Sequence, residues 1–473
     1  MREYLSLGHM RPIEAEYSGN SMAYYLPHHP VIKEASTTTK LRVVFDGSAK
    51  TSTGYSRNDA LCVGPVVKND LLKQILRFRT YPIALVSDIA KMYRQVAVQP
   101  DDMPMQRIFW RFSQNEPIRI YELATVTYGL APSSFLAVLQ GLDETQIATK
   151  STVHFSPNET IKTLGICWEP EADCLRFESN AASEVGPPTK RLILSSIARL
   201  YDPLGIIAPI VIRAKILMQE LWQLSCEWDD PVPEPVQRKW KELHAELPEI
   251  SSYRVKRYAF LPHSAIQLHT FADASEMAYG ACSYVRCEDA EGNVQIRLLA
   301  PKSRVAPLKS LTVPRLELCA AVLASHLHAR VKDAIDACVV KSYFWSDSAV
   351  TLHWLRSPPN VWQTYVAHRL AEIQHFTSGC RWSHISGKEN PADIVSRGLS
   401  VADFLVNDLW KYGPAWLTYS ERDWPVSVLP TVPENQLECK VVSAISTTLP
   451  VPLVHPWFAC DRLLHAVRRK YSC

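Results

Sequence analysis

A single acidic residue at the end of an otherwise apolar strand constrains the fold of this chain more than any other feature. Residues 268–275 read Leu-His-Thr-Phe-Ala-Asp-Ala-Ser, so β-prone residues lead into Asp273, and a second strand-like run follows at residues 278–285. A carboxylate along a buried strand is costly unless it is paired with a cation or binds a metal. The fold therefore has to bring such a partner to Asp273.

Three further acidic residues stand in settings of the same kind. Glu317 lies at the start of an Ala- and Leu-rich helix, and Asp347 directly follows the strand-like residues 343–346. Asp393 lies at the start of a last short helix. The four acids are far apart in sequence and can meet only through tertiary folding, and the order of elements around them predicts an α/β arrangement.

Convergence of the four carboxylates predicts a divalent metal site. We expect no basic partner for any of them within its own motif, so together they would repel one another unless cations neutralise them. Hard oxygen ligands favour Mg²⁺ or Mn²⁺, and two such ions can activate a water and stabilise a leaving oxygen at a phosphodiester. Taken singly, each acid also has an ordinary explanation as a turn residue, a solvated helix residue or an N-cap.

These segments resemble the ribonuclease H domain of BEL/Pao-type retrotransposon polyproteins. The matching runs are Phe-Ala-Asp-Ala-Ser at 271–275, Arg-Leu-Glu-Leu at 315–318, Trp-Ser-Asp-Ser at 345–348 and Asn-Pro-Ala-Asp-Ile-Val-Ser-Arg-Gly at 390–398. The resemblance implies a domain with a five-stranded mixed sheet that hydrolyses RNA in RNA–DNA hybrids. Its implied catalytic and metal-binding residues are Asp273, Glu317, Asp347 and Asp393. His384 stands where such domains often carry a mobile histidine implicated in product release, although a lone histidine is also common at a strand end.

Composition favours an intracellular globular chain. Its 473 residues are enough for roughly two to four domains, and the net charge of +3 is too small to indicate a nucleic-acid partner by itself. The 12 cysteines show no paired Cys-x-x-Cys spacing, which predicts unpaired thiols in a reducing compartment. The N-terminus is polar, and no apolar run approaches the roughly 20 residues of a membrane span. We therefore expect a cytoplasmic or nuclear protein that is neither secreted nor inserted in a membrane.

The first 185 residues resemble the fingers and palm of the reverse transcriptase of the same elements. The matching runs lie at residues 25–32, 39–46, 58–61 and 128–135. The resemblance implies that Asp88 occupies the first metal-binding position of the polymerase palm. It also implies that Lys40 and Arg42 contact the triphosphate or the template, although ordinary surface positions suit both cations equally well.

The second acidic position of that palm is missing. A reverse transcriptase needs a Tyr-x-Asp-Asp hairpin after the turn at residues 128–135, but here residues 135–137 lead directly into residues 138–143, which in the family lie beyond the hairpin. One carboxylate cannot hold both ions of a two-metal phosphoryl transfer. We therefore expect an internal segment to be missing near residues 137–138 and the polymerase to be inactive.

Residues 186–260 predict a set of helices. The runs at 202–205, 215–219 and 228–230 resemble a segment known as a Pao retrotransposon peptidase. Aspartic peptidases need an Asp-Ser/Thr-Gly loop, and the sequence contains none. A packed connection between polymerase and nuclease is therefore favoured over a peptidase.

The sequence thus predicts a multidomain α/β chain. Its parts are a truncated fingers and palm (1–185), a helical connection (186–260), a ribonuclease H-like domain (261–400) and a partly loose extension (401–473). Arg369, on a helix predicted at residues 361–376, is a candidate contact to the backbone of the hybrid or a member of a solvated face. The favoured function is a Mg²⁺- or Mn²⁺-dependent ribonuclease acting on RNA–DNA hybrids or other nucleic acid. The alternatives are a catalytically silent transposon relic that only binds nucleic acid and, with less support, an aspartic peptidase.

Overall fold

The fold is given by a computed structural model of the chain. It describes residues 1–13, 22–32, 41–65, 70–85, 91–139, 161–163, 166–178, 186–224, 226–335, 339–425, 429–433 and 437–439. The predicted polymerase residues Asp88 and Lys40 lie outside the described residues, as do residues 140–160, which follow the predicted junction. Within the described parts of the chain, no helix combines the length and apolar character that crossing a membrane requires.

The N-terminal part forms a small unit with its own core. Its elements are α1 (Arg2–Ser6), β1 (Met10–Pro12), β2 (His28–Ile32), β3 (Leu41–Phe45), β4 (Arg107–Trp110), β5 (Arg119–Leu123) and α3 (Ser133–Leu139), with α2 (Leu71–Thr80) between β3 and β4. β1, β5 and β4 form one antiparallel sheet, and β2 pairs with β3 in a separate two-stranded ribbon. Apolar side chains such as Phe45 and Ile108 fill the core between them.

A second sheet and three helices follow. β6 (Ile161–Thr163), β7 (Ile166–Glu169), β8 (Cys174–Arg176) and β9 (Arg254–Lys256) form an antiparallel sheet, and α4 (Lys190–Ala198), α5 (Ala208–Gln223) and α6 (Glu234–Glu246) lie between β8 and β9 in the chain. Thr189 caps α4 by accepting a hydrogen bond from the Leu192 amide at 3.2 Å. Prolines occupy the first turns of α5 and α6, where no helical amide partner is needed. The predicted helices are confirmed.

The largest sheet has five strands and is mixed. It contains β10 (Ala265–Ala274), β11 (Ala278–Glu288), β12 (Val294–Val305), β13 (Val339–Ser346) and β14 (Arg381–His384) in the order β12-β11-β10-β13-β14. The first three strands are antiparallel neighbours, whereas β13 is parallel to β10 and β14 is parallel to β13. The five-stranded mixed sheet expected from the sequence is confirmed.

Helices cover both faces of this sheet. They are α7 (Val313–Ala334), α8 (Ala349–Leu355), α9 (Thr364–Phe376), α10 (Pro391–Arg397), α11 (Val401–Val406) and α12 (Asp408–Tyr412). α7 lies on the face where Thr270 contacts His328, with Oγ1 and Nδ1 3.4 Å apart. On the other face, Phe271 packs against Trp345 and Trp416. Strand β10 is thus buried on both sides, which explains its nearly continuous apolar sequence.

The helices before the sheet share its core. Trp410 of α12 donates through Nε1 to the Ile206 carbonyl at 3.0 Å, and Gln219 of α5 donates through Nε2 to the Ala306 carbonyl at 2.6 Å. A Cβ atom at Gly205, whose φ is +86°, would lie 2.4 Å from the Pro301 carbonyl oxygen, so this close approach requires glycine. One continuous apolar core therefore joins α4, α5 and α6 to the five-stranded sheet.

Candidate active site

Two of the predicted acids leave adjacent strands at the same edge of the sheet. In the parallel pair β10–β13, Ala272 lies opposite Ser346, so Asp273 and Asp347 follow at equivalent positions. Neighbouring strands are about 4.8 Å apart, which places the two carboxylates side by side. The tertiary convergence that the sequence predicted for this pair is present.

Asp273 is the most deeply buried of the four acids. It is 4% exposed, and the Ser396 hydroxyl donates a short hydrogen bond to its Oδ2. Burial, followed by the nearby negative charges of Asp347 and Asp393, raises the pKa of Asp273 to about 8, while the hydrogen bond from Ser396 opposes the shift. Burial is also the largest cause of the raised pKa of Asp347. Asp273 therefore keeps its proton at pH values at which an exposed aspartate has released it.

Glu317 approaches from the first turns of α7. The Ser348 hydroxyl, directly after Asp347, donates a short hydrogen bond to Glu317 Oε2. Burial raises the pKa of Glu317 to about 7, and the charge of Asp347 adds to the shift. Glu317 is therefore affected by two consecutive residues, the charge of Asp347 and the hydrogen bond from Ser348.

Asp393 comes from the opposite face, on α10. Its Oδ1 accepts a hydrogen bond from Arg397 Nε at 2.5 Å, one helical turn away, and the two side chains are 36% and 65% exposed. The expectation that no acid would have a basic partner in its own motif is wrong for Asp393, because residues four apart share one helix face. Asp393 still raises the pKa of Asp273 through its charge, so it belongs to the same cluster.

Asn390 ties the cluster together, and sequence reasoning did not single it out. Its Nδ2 lies 3.0 Å from the Ala272 carbonyl and 3.4 Å from Asp347 Oδ1, and its Oδ1 accepts from the Ala392 amide at 3.1 Å. It thus links β10, the end of β13 and the start of α10. Its place in the run at 390–398 was the available signal, but the pattern does not tell which polar residues of that run point inward.

Gly387 and His384 lie on the β14 side of the cluster. His384 ends β14 opposite Ser346, one position before Asp347, and is half-buried. A Cβ atom at Gly387 would lie 2.9 Å from Asp347 Oδ2, so glycine leaves room for that carboxylate. The structure therefore places His384 at the same sheet edge as the acids.

The remaining predicted contacts lie elsewhere. Arg369 is on α9, with Cζ 3.6 Å from the centroid of the Tyr365 ring. Arg42 lies on β3 of the N-terminal unit and is exposed. Neither is part of the carboxylate cluster.

The four acids lie near one another without forming a ready metal-binding geometry. Over the described ranges, no three His, Cys, Asp or Glu side chains converge closely enough to hold a metal ion. The four acids instead each accept from a protein donor, namely Ser396, Ser348, Asn390 or Arg397. The cluster is coupled by charge, and its oxygens point to separate partners.

Comparison with known families supports an RNaseH-like domain for part of the chain. Residues 189–348 match the family model described as the Pao retrotransposon-like RNaseH-like domain, which supports a fragment of a Pao-type retrotransposon Pol protein. The match begins at α4 and includes Asp273, Glu317 and Asp347, whereas His384 and Asp393 lie beyond it. No curated protein matches the chain.

Proposed function

We propose that this chain is a metal-dependent ribonuclease that hydrolyses RNA in RNA–DNA hybrids. The observation that carries the proposal is the placement of Asp273 and Asp347 at one edge of adjacent parallel strands, with Glu317 and Asp393 delivered from opposite faces. Buried carboxylates with raised pKa values are common at functional sites. The match to an RNaseH-like family over residues 189–348 agrees with this function.

The donor set fits Mg²⁺ or Mn²⁺ in kind. All four side chains offer carboxylate oxygens, which hard divalent cations prefer. Burial is the largest cause of the raised pKa values of Asp273 and Glu317, the charge of Asp347 adds to both, and added positive charge would offset both effects. When bound, such ions supply an activated water and stabilise the leaving oxygen of a phosphodiester.

The residues of the chain have separate tasks in this proposal. Asp273, Asp347, Glu317 and Asp393 hold the cations. Asn390 and Ser396 are positioning residues, because they fix the orientation of the Asp347 and Asp273 carboxylates. His384, at the same edge, assists product release.

We also infer that the N-terminal residues derive from a reverse transcriptase whose polymerase is inactive. Three of the resembling runs contact one another, since Asn58 donates to the Gly129 carbonyl at 3.0 Å and accepts from the Ala131 amide at 2.8 Å. Gly129, with φ of +88°, packs directly against the Phe45 carbonyl. These contacts support a shared origin for the runs at 39–46, 58–61 and 128–135.

The decisive experiment is cleavage of a labelled RNA–DNA hybrid by the full chain in Mg²⁺, beside Asp347→Asn. We expect the wild type to cut the RNA strand and the variant to lose at least about 100-fold in rate, because a ligand to the cations is weakened. Asp408→Asn, at a side chain that is 83% exposed and outside the cluster, is the matched control and should cut normally.

A folded chain that leaves the hybrid intact would contradict the proposal. The alternative would then be a transposon relic that only binds nucleic acid. Equal cleavage by wild type and Asp347→Asn would point to a contaminating nuclease. Duplex DNA in the same assay tests whether the RNA strand is the one required.

A further inference from the structure

Two arginine side chains lie on one tyrosine ring. Cζ of Arg369 is 3.6 Å and Cζ of Arg315 is 4.8 Å from the centroid of the Tyr365 ring. Arg315 is in the first turn of α7, the helix that also carries Glu317 two residues further on. We call Arg315, Tyr365 and Arg369 the arginine platform.

A carboxylate from the C-terminal part of the chain occupies the platform. Arg315 donates to Glu438 through two parallel hydrogen bonds, Nε to Oε1 at 2.8 Å and Nη2 to Oε2 at 2.7 Å. The Arg315 and Glu438 side chains are 30% and 20% exposed. This forked geometry is the one by which arginine also binds a phosphodiester group.

The backbone around Glu438 is held independently of its carboxylate. Trp354 Nε1 donates to the Leu437 carbonyl at 2.7 Å, and the Gln363 amide donates to the Glu438 carbonyl at 3.0 Å. Trp362 and Cys439 form an isolated β-bridge. The side chain can therefore be changed without detaching residues 437–439.

Glu438 has an unfavourable backbone conformation. Its φ is +53°, in the left-handed region that residues with a Cβ rarely adopt. Strained residues of this kind are concentrated at ligand clamps and switch regions. The backbone strain, the forked ion pair and the second arginine on the Tyr365 ring together indicate that the Glu438 carboxylate occupies a site for another anion.

We propose that the arginine platform binds a phosphodiester group of nucleic acid and that Glu438 competes for it. The proposal rests on the proposed function, because the platform would hold the backbone of the same hybrid that the carboxylates cleave. Arg369 adds a second positive charge at the Tyr365 ring. Displacement of Glu438 by a phosphodiester keeps both hydrogen bonds of Arg315 satisfied.

The test is the affinity of the full chain for a fluorescent RNA–DNA hybrid in Ca²⁺, measured over a series of salt concentrations. Glu438→Gln should raise the affinity on the order of fivefold, and the slope of log K against log salt should steepen by about 1, because one more phosphate contact is made. Arg315→Gln should weaken binding, and the double variant should behave like Arg315→Gln alone.

A matched control separates this effect from a general loss of negative charge. Glu372, on α9, pairs with His326 at 2.7 Å and is 42% exposed. Glu372→Gln removes the same charge outside the platform, and we expect it to leave both affinity and salt slope near those of the wild type. An equal gain in Glu438→Gln and Glu372→Gln would overturn the proposal.

Cleavage in Mg²⁺, measured on the same variants, distinguishes the two proposals. A gain in affinity for Glu438→Gln without cleavage by any variant would support the platform and contradict the ribonuclease. Cleavage by the wild type with no gain in affinity for Glu438→Gln would support the ribonuclease and contradict the platform. Absence of both binding and cleavage would overturn both.

Discussion

Asp273 lies where an ionised carboxylate destabilises a fold. It is 4% exposed, beside Asp347, and its side chain receives one hydroxyl donor from Ser396. Holding Asp273 neutral at pH 7 means keeping a proton that the unfolded chain would release. The site therefore lowers the stability of the domain that carries it.

Asp273→Asn should stabilise the chain in EDTA by roughly 1–3 kcal/mol at pH 7, because the amide is neutral without binding a proton. The folded pKa of about 8 lies above the unfolded value, so the wild type loses stability as the pH rises from about 4 to 8. The difference in the free energy of unfolding between the variant and the wild type should therefore grow as the pH rises over that range. Thermal unfolding at several pH values measures it.

The same melts in Mg²⁺ provide the control. Cation binding to the folded state should raise the melting temperature of the wild type and have little effect on Asp273→Asn. An unchanged or lowered melting temperature for the variant in EDTA would mean that Asp273 does not destabilise the folded chain.

Single residues differ in how far sequence alone could place them. The four acids could be found because each interrupts an apolar strand or begins a helix. Asn390, Ser396 and Ser348 could not, because only the folded geometry decides which polar neighbour donates to which acid. The pairing of Arg397 with Asp393 was missed although its four-residue spacing was visible.

Among the elements, α2 has the least expected position. It lies within the first 185 residues, which resemble the fingers and palm, and the sequence pattern names no partner for it. In the structure its last turn enters the core behind the five-stranded sheet. Arg79 is fully buried there and donates through Nη1 to the Leu298 and Leu299 carbonyls at 2.9 and 3.0 Å.

Arg79→Met should destabilise the chain by about 3 kcal/mol, because buried carbonyls lose their donor. Lys73→Met, on the same helix, removes only the ion pair with exposed Asp333 at 2.7 Å and should change the free energy of unfolding by less than about 1 kcal/mol. Urea unfolding of both variants gives the comparison. Equal effects would show that the buried guanidinium is dispensable.

At the scale of the whole molecule, the predicted connection and nuclease share one core. The Arg213 guanidinium on α5 donates to Glu246 at 2.8 Å and to the Leu399 carbonyl at 3.1 Å, so the helices contact the segment that follows α10. The family match, which begins at residue 189, spans the same boundary. Side chains pack across the boundary predicted at residue 260, and a sequence pattern does not report such packing.

A fragment that begins at residue 261 retains all four acids, yet we expect it to aggregate. It lacks α2 and α4–α6, so the apolar core that these helices share with the five-stranded sheet would lose part of its cover. A fragment from residue 70 to residue 439 should unfold in one cooperative transition. Size-exclusion chromatography and thermal melts compare the two, and a monomeric, folded fragment from residue 261 would contradict a shared core.

The buried Arg79 also has a consequence for the inheritance of this nuclease. A recombination breakpoint at residue 186 would separate α2 from the carbonyls of Leu298 and Leu299 that it serves. Exchanges that preserve a working domain therefore fall before residue 70. A transfer that keeps the RNaseH-like domain intact therefore carries α2 with it, and a phylogeny built on the sequence of α2 follows that domain.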